Sequence, residues 1–337
     1  MAVIGTLLAL LVFFALFGVF LTQYVPLWMT DNESQFATQT AASFAQFKSN
    51  IDLQYAIGGP SSLGTPFILS SQGVPLIAQP TSGTLTFVPS TCPAQAVTVG
   101  ATTSYYSFYT ANLLPSGKTV GQPVNPYRCI FENVTIGYGP GGIGTPYYQR
   151  AASGVLAMNL PNRYYSPETF FFEDDGVIQS QVGGYQIMLY TPPFNITTVA
   201  SNTTISTSFL QTYGNASTII GQGAQQVYTH LRYSQFLSSN GKYNAGTHSY
   251  TNTNFSMEIG TQYPCAWYSF LSHQMNVSGL PSSDYTLTQN GTAAFPSSCI
   301  NSAGTTTIVW LKITAFVVDY VTLFYAGVQL STNIGGT

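Results

Sequence analysis

The feature that most constrains this chain is its uncharged N-terminal segment. Residues Met1 to Met29 carry no charged side chain, and residues Ala2 to Leu21 are almost entirely apolar. About 20 apolar residues in a helix are enough to cross the hydrocarbon core of a bilayer. A helix that is apolar on all sides must be buried in lipid or in other protein. The segment therefore predicts either a membrane anchor or a helix that packs against other chains.

A second pattern begins after Pro26, a residue that tends to kink a helix. Thr30 to Glu33 has the sequence of a capping box, which predicts a fresh helix start. Apolar residues then recur every three or four positions, and Gly58-Gly59-Pro60 predicts the helix end. The predicted buried face consists of Phe36, Thr40, Phe44, Phe47, Ile51 and Tyr55. We expect one long, kinked helix of about 55 residues, with a domain boundary between residues 1–57 and 58–337.

The rest of the chain has a composition typical of β-structure, rich in Ser, Thr, Gly, Tyr and Val with frequent turn residues. Only Cys265 to Met275 resembles a helix there. The run Thr307 to Leu330 fits a strand or a membrane helix, and the internal Lys312 and Asp319 favour one long strand or two paired ones. Candidate strands are Thr84 to Val88, Val97 to Asn112, Asn133 to Tyr138, Gly154 to Asn159, Thr169 to Phe172, Val177 to Gln181, Tyr185 to Tyr190, Thr203 to Phe209 and Gln226 to Arg232. The predicted fold class is α+β, a long N-terminal α-helix followed by a predominantly antiparallel, β-sandwich-like globular head with one or two lobes.

Cysteines and glycosylation motifs predict an extracellular location. Four cysteines allow three disulfide connectivities, of which nearest-neighbour pairing (Cys92 with Cys129, Cys265 with Cys299) is the simplest. Four buried free thiols are the alternative. Eight Asn-x-Ser/Thr motifs are present, at Asn32, Asn133, Asn195, Asn202, Asn215, Asn254, Asn276 and Asn290. Because several such motifs arise by chance, we expect N-linked glycans on some of them.

We find no pattern that identifies a catalytic, cofactor-binding or metal-ligating site. The run Gly137 to Gly142 formally matches a dinucleotide-binding fingerprint, but prolines continue it as a loop, which favours a surface turn. His230, His248 and His273 lack a metal-binding spacing, and no serine-hydrolase elbow is present. Eight basic against eleven acidic residues leave no basic surface for nucleic acid. We therefore expect neither an enzyme nor a cofactor.

The only acidic cluster is Glu173-Asp174-Asp175, which is followed by Gly176. The Asp-Gly pair predicts a hairpin. Three adjacent carboxylates at a hairpin tip favour a solvated turn, with a Ca²⁺ site as the alternative.

These features together resemble the archaeal type IV pilin and archaellin superfamily. The matching residues are the uncharged start Met1 to Leu10, its continuation through Phe20 and Pro26, and the amphipathic stalk that ends near Tyr55. The segment from Arg163 to Pro193 is similar to archaeal pilin-like membrane proteins with large β-rich heads. The sequence differs from bacterial pilins in having Gly5 where they carry an acidic residue near the mature N-terminus.

The resemblance implies that a charged leader is removed and that the apolar helices bundle into a filament core. The expected partners are identical subunits in a helical homopolymer, the membrane before assembly, and N-linked glycans. The expected location is an extracellular, cell-surface filament with a role in adhesion. The core-packing residues would be Leu7, Leu11, Phe14, Gly18 and Leu21, with the small residues Gly5, Ala9 and Ala15 also allowing close approach. The alternative is a monomeric, membrane-anchored surface glycoprotein, such as a receptor or an S-layer-associated protein.

Overall fold

The chain begins with a continuous helical segment that reaches Ile57, and a β-rich region follows it. The computed structural model describes residues 2–58, 61–75, 77–89, 130–138, 147–199, 202–240, 243–244, 249–250, 253–289 and 307–331. The helices are α1 (Ala2–Val19), α2 (Val25–Ile57) and α3 (Pro264–Ser278), with a π-helical turn (Phe20–Tyr24) between the first two. This architecture is α+β, with one long helix and mostly antiparallel strands.

Seventeen strands are present in the described residues, and their bounds are as follows. They are β1 (Ser62–Ile68), β2 (Thr84–Val88), β3 (Ile130–Tyr138), β4 (Tyr147–Ser153), β5 (Val155–Leu160), β6 (Glu168–Glu173), β7 (Gly176–Gln181), β8 (Gln186–Tyr190), β9 (Phe194–Val199), β10 (Asn202–Gly214), β11 (Ser217–Ile220), β12 (Ala224–Asn240), β13 (Tyr243–Asn244), β14 (Ser249–Tyr250), β15 (Thr253–Thr261), β16 (Tyr285–Gln289) and β17 (Thr307–Ser331).

Two large sheets contain most of the strands. The first has nine strands, and its main path runs β1-β12-β17-β15-β3-β4, with β10 and β16 also paired to β17 and β9 paired to β10. The second has six strands in the order β11-β2-β5-β6-β7-β8, and all of its pairings are antiparallel. A small third sheet pairs β13 with β14. The pairing of β10 with β17 is parallel.

The π-helical turn separates the apolar helix α1 from the amphipathic helix α2. Pro26 has no N–H to donate to the preceding turn, and the π-helical turn lies directly before it, with the N–H of Val25 donating to the carbonyl of Phe20. The predicted fresh helix start at Thr30 is wrong. Helix α2 already begins at Val25, and the Thr30 hydroxyl donates to the carbonyl of Pro26 at 2.9 Å instead of capping a free end.

Helix α2 packs between the two large sheets through its predicted apolar face. Five of the six predicted residues are buried, and Tyr55 is half-buried. The ring of Phe47 meets Phe172 of β6 edge-to-face, with centroids 4.9 Å apart, and Phe44 meets Phe67 of β1 in the same way at 5.1 Å. Such aromatic pairs stabilise a core beyond the area that they bury. The helix ends where predicted, at Gly58, whose left-handed backbone (φ 67°) suits glycine.

A second core cluster lies around α3. Trp267, Phe270 and Leu271 pack against β9, β15 and β17, and Met188 of β8 packs on the same cluster. Helix α3 includes the predicted helix from Cys265 to Met275. The C-terminal run is a strand, as predicted, and most other predicted strands are present with ends shifted by a few residues. The predicted strand Val97 to Asn112 lies outside the described residues.

Candidate functional site

The most unusual surface of the molecule is helix α1. The most hydrophobic stretch of the N-terminal helical segment is 0% buried. Among the described residues, this segment is the one helix that is long and apolar enough to cross a membrane. The predicted core-packing residues Leu7, Leu11 and Phe14 are all exposed, Leu11 to 69%. Leu21 is exposed too, and Gly18 is half-exposed. The structure thus places all five predicted residues on a surface without cover from the chain itself.

An aromatic ladder runs along one side of this helix toward the head. It comprises Phe13, Phe17, Phe20, Tyr24 and Trp28. Ring centroids are 6.0–6.5 Å apart from Phe13 through Phe17 and Phe20 to Tyr24, and the ring of Trp28 meets that of Phe20 at 5.6 Å. Tyr24 and Trp28, at its lower end, are exposed. Tyr and Trp are the side chains that favour the boundary between a membrane and water. The apolar surface therefore ends in residues suited to such a boundary.

Small residues leave room for close approach along α1. A Cβ atom built on Gly5 or on Gly18 would have no other atom within 4 Å. Helices approach each other most closely where small residues face the partner. Among the residues that the structure describes, nothing fills the space at Gly5 and Gly18.

Helix α2 is held to the head by the buried carboxylate of Glu33. Its Oε2 accepts hydrogen bonds from the backbone N–H groups of Arg163, Tyr164 and Tyr165, at 3.0, 2.7 and 2.8 Å. Its Oε1 accepts a hydrogen bond from the Thr81 hydroxyl at 2.5 Å. Burial raises the pKa of Glu33, but these hydrogen bonds outweigh burial and leave the pKa below its usual value. The carboxylate is thus a charged anchor between α2 and the loop after β5.

A second buried contact lies about four helical turns after Glu33 on α2. The Lys48 ammonium lies 3.2 Å from Oδ1 of Asp52, one turn away, and 3.2 Å from Oδ1 of Asp175 at the tip of the β6–β7 hairpin. Lys48 and Asp175 are buried, whereas Asp52 is partly exposed. Burial raises the pKa of Asp175 to about 7 against the lowering effect of Lys48.

The acidic cluster forms the predicted hairpin, but the predicted solvated turn is wrong. Glu173, Asp174 and Asp175 are 0%, 2% and 0% exposed. Asp174 and Asp175 adopt left-handed backbones (φ 46° and 62°), which suit a tight hairpin turn and which Asp tolerates. The turn is buried because other elements cover it, with Lys48 of α2 on one side and Trp267 of α3 on another.

Glu173 occupies a protected position inside this cluster. Its Oε1 accepts hydrogen bonds from the Trp267 indole at 2.7 Å and from the Thr261 hydroxyl. Its Oε2 has no hydrogen-bond partner among the described residues. Burial raises the pKa of Glu173 to about 7, although the two hydrogen bonds lower it and nearby Asp174 raises it further. Burying the protonated, neutral form of Glu173 costs less free energy than burying its carboxylate.

The hairpin is not arranged as the alternative Ca²⁺ site. Among the residues that the structure describes, no three His, Cys, Asp or Glu side chains are grouped to hold a metal ion. His230 lies in β12 and His273 on the exposed side of α3, while His248 lies outside the described residues. Only Gly137 and Tyr138 of the glycine-rich run are described, and they end β3.

The glycosylation motifs differ in their accessibility. Asn195, Asn215 and Asn276 are exposed, whereas Asn32 is half-buried in α2 and its amide donates to the carbonyl of Gln72 at 3.0 Å. Asn133, Asn202 and Asn254 lie in β3, β10 and β15, and Asn290 lies outside the described residues. Accessibility favours the three exposed sites, but glycosylation stays a prediction.

Cys265 is the one cysteine among the described residues. It is buried at the start of α3 and is not a free thiol. The other three, Cys92, Cys129 and Cys299, lie outside the described residues, so the nearest-neighbour pairing also stays a prediction.

Sequence reasoning missed the roles of Glu33 and Lys48. Glu33 was assigned to a helix cap, and Lys48 was not singled out. A signal was present for Lys48, because it lies four residues after Phe44 and three before Ile51, on the predicted buried face. A lone cation on such a face indicates a buried acidic partner.

No protein family, curated protein or solved structure matches this chain.

Proposed function

We propose that this chain is a structural subunit of an extracellular filament of the type IV pilus kind. The α1 helices would bundle in the filament core, and the β-rich heads would form the outer surface, with N-linked glycans and a role in surface adhesion. The observation that carries this proposal is the contrast within one continuous helical segment. Helix α2 packs into the core of the head, while the apolar α1 is left uncovered by the described part of the chain.

The exposed surface of α1 cannot remain in water. Burying one Leu, Val or Phe side chain contributes about 1.5–3 kcal/mol, and α1 exposes about a dozen such side chains. Lipid would cover this apolar surface before assembly, and neighbouring α1 helices would cover it afterwards. The open space at Gly5 and Gly18 supports the second state, because lipid does not require it whereas close helix packing uses it.

The head suits an outer position in such a filament. We propose that its two large sheets form a sandwich-like unit with α2 between them and that the predicted disulfides close it. The exposed acceptors Asn195, Asn215 and Asn276 would carry glycans away from the helix. The sequence resemblance to archaeal type IV pilins supports the same arrangement. The buried anchors at Glu33 and Lys48 would transmit load from the filament core to the head.

A monomeric membrane anchor is the second candidate. The observation that favours it is the pair of exposed aromatic residues Tyr24 and Trp28, which suit the surface of a membrane. Both candidates share insertion of α1 into lipid. They differ in whether α1 helices also pack against one another.

Substituting Gly18→Leu separates the two candidates. The change keeps α1 apolar, and a Cβ atom at position 18 meets nothing within 4 Å in the part of the chain that the structure describes, so folding and membrane insertion should be preserved. The larger side chain fills the space for a neighbouring helix. A cost of about 1.4 kcal/mol per added subunit raises the concentration of free subunits that assembly requires about tenfold, and we expect the amount of sheared filament to fall. Filament yield by sedimentation and electron microscopy measures the effect.

The matched control is Leu16→Ile, which conserves volume at another exposed position of α1. It should leave both membrane insertion and filament yield near the original values. Equal yields from Gly18→Leu and the control would contradict helix packing through Gly18.

A further inference from the structure

The contact between Lys48 and Asp175 has the geometry of two groups that can react. The Lys48 Nζ atom lies 3.2 Å from a carboxyl oxygen of Asp175, and both side chains are held in place, one on α2 and the other in a tight hairpin turn. Groups that are held side by side can react far faster than free ones, because the entropic cost of their encounter has already been met. A pair of this kind on flexible surface side chains would have no such advantage.

The surroundings of the two groups are apolar. Phe47 precedes Lys48 and packs against Phe172 of the hairpin, and both rings are fully buried. Burial disfavours an ammonium and a carboxylate alike, and it raises the pKa of Asp175 to about 7. The hydrogen bond that Lys48 Nζ donates to Oδ1 of Asp175 gives a proton a direct path from the nitrogen to the carboxyl group.

Two further groups are placed to assist. Asp52 lies 3.2 Å from the same Nζ atom and is partly exposed, so it can exchange protons with water. The Ser208 hydroxyl lies 3.4 Å from Oδ2 of Asp175, where its donated hydrogen bond would stabilise negative charge that develops on that oxygen. Amine, acid, proton acceptor and donor thus converge on one carboxyl group.

We propose that Lys48 and Asp175 join in an intramolecular isopeptide bond. Within the ion pair, the ammonium first gives a proton to the Asp175 carboxylate. The Nζ lone pair then attacks Cγ, Asp52 takes a proton from the attacking nitrogen, and the Cγ–OH bond breaks as Asp52 returns that proton to the leaving hydroxyl. The products are one amide and one water molecule, Asp52 is regenerated, and no oxidant or reductant is needed.

Such a bond would join α2 covalently to the head. It would close a loop of 127 residues between positions 48 and 175. It would also lie on the path by which a pull on α1 reaches the β-sheets. The inference goes beyond the proposed function and does not depend on it, because the bond forms within one chain whether or not the chain assembles.

Mass spectrometry of the full-length chain tests the inference. The chain is made in a host without N-glycosylation, extracted in detergent, denatured and reduced. We expect an intact mass lower than the sequence mass by one water molecule, and a proteolytic fragment that joins the peptide containing Lys48 to that containing Asp175. A full sequence mass together with separate peptides would overturn the inference.

Three variants assign the roles. Lys48→Arg keeps the positive charge but removes the amine, and Asp175→Ala removes the carboxyl group, so both should show the full sequence mass. Asp52→Asn should slow linkage and leave a larger unlinked fraction. The control Asp31→Asn changes an exposed acid on the same helix and should remain fully linked. Loss of one water in Lys48→Arg would contradict the assigned nucleophile, and normal linkage in Asp52→Asn would contradict its role.

Discussion

Replacing Glu33 by alanine is expected to lower the free energy of unfolding of the head by about 3 kcal/mol. The carboxylate is fully buried and accepts hydrogen bonds from three consecutive backbone N–H groups and from Thr81. Alanine would remove the acceptor of all four donors. Thermal or denaturant unfolding of the detergent-solubilised chain, followed by circular dichroism, measures the change.

The matched control for Glu33 is Asp31→Ala. Asp31 lies two residues earlier on α2, is exposed, and accepts a hydrogen bond from Gln35 at 3.0 Å. Its replacement should change stability by no more than about 0.5 kcal/mol. Equal effects of the two substitutions would contradict the anchoring role of Glu33.

The pKa of Glu33 is lowered in the folded state. Its contribution to the free energy of unfolding is therefore present above the usual Glu pKa and is lost as the pH falls through the pKa of the folded state.

Glu173 should produce the opposite pH dependence. Burial raises its pKa from 4.5 to about 7, so the folded state keeps a proton that the unfolded state loses. Its stabilising effect is therefore complete below pH 4.5 and is lost as the pH rises through about 7. The shift corresponds to about 3 kcal/mol of unfolding free energy. We expect the unfolding temperature to fall between pH 5 and pH 8, roughly the interval set by this pKa.

The variant Glu173→Gln isolates this effect. Glutamine keeps an oxygen that can accept from Trp267 and Thr261 but does not titrate. Its unfolding temperature should change less with pH over that interval than that of the original chain, and the exposed-site variant Asp31→Asn should keep the original profile. Parallel profiles for the original chain and Glu173→Gln would show that Glu173 is not the titrating group. Together, Glu33 and Glu173 predict a stability maximum on the acidic side of neutrality.

Local patterns predicted the long helix, α3 and nine of the seventeen strands in the described residues. The three-and-four spacing from Phe36 to Ile51 identified the buried face of α2, because a helix repeats on that period. The charges inside the C-terminal run favoured a strand, and β17 extends through both of them. The Asp-Gly pair predicted the β6–β7 hairpin, but the two turn residues are Asp174 and Asp175, whose left-handed backbones Asp tolerates, and Gly176 already belongs to β7.

Long-range contacts explain what local patterns could not predict. Glu33 has the spacing of a capping residue, but its partners lie about 130 residues away, and no local signal encodes them. The acids at 173–175 have the chemistry of an exposed turn, yet α2 and α3 cover them. The topology of both sheets decides which elements pack over this turn. The sequence near the turn carries no information about that topology.

Electron cryo-microscopy of material sheared from cells would show directly whether the chain assembles through α1. We expect filaments in which α1 helices form a central core, with Leu7, Leu11 and Phe14 packed against neighbouring copies and the β-rich heads outside. Recovery of the chain only as single copies in the membrane fraction would contradict the filament and leave the anchor. Filaments whose core excludes α1 would contradict the role assigned to its exposed surface.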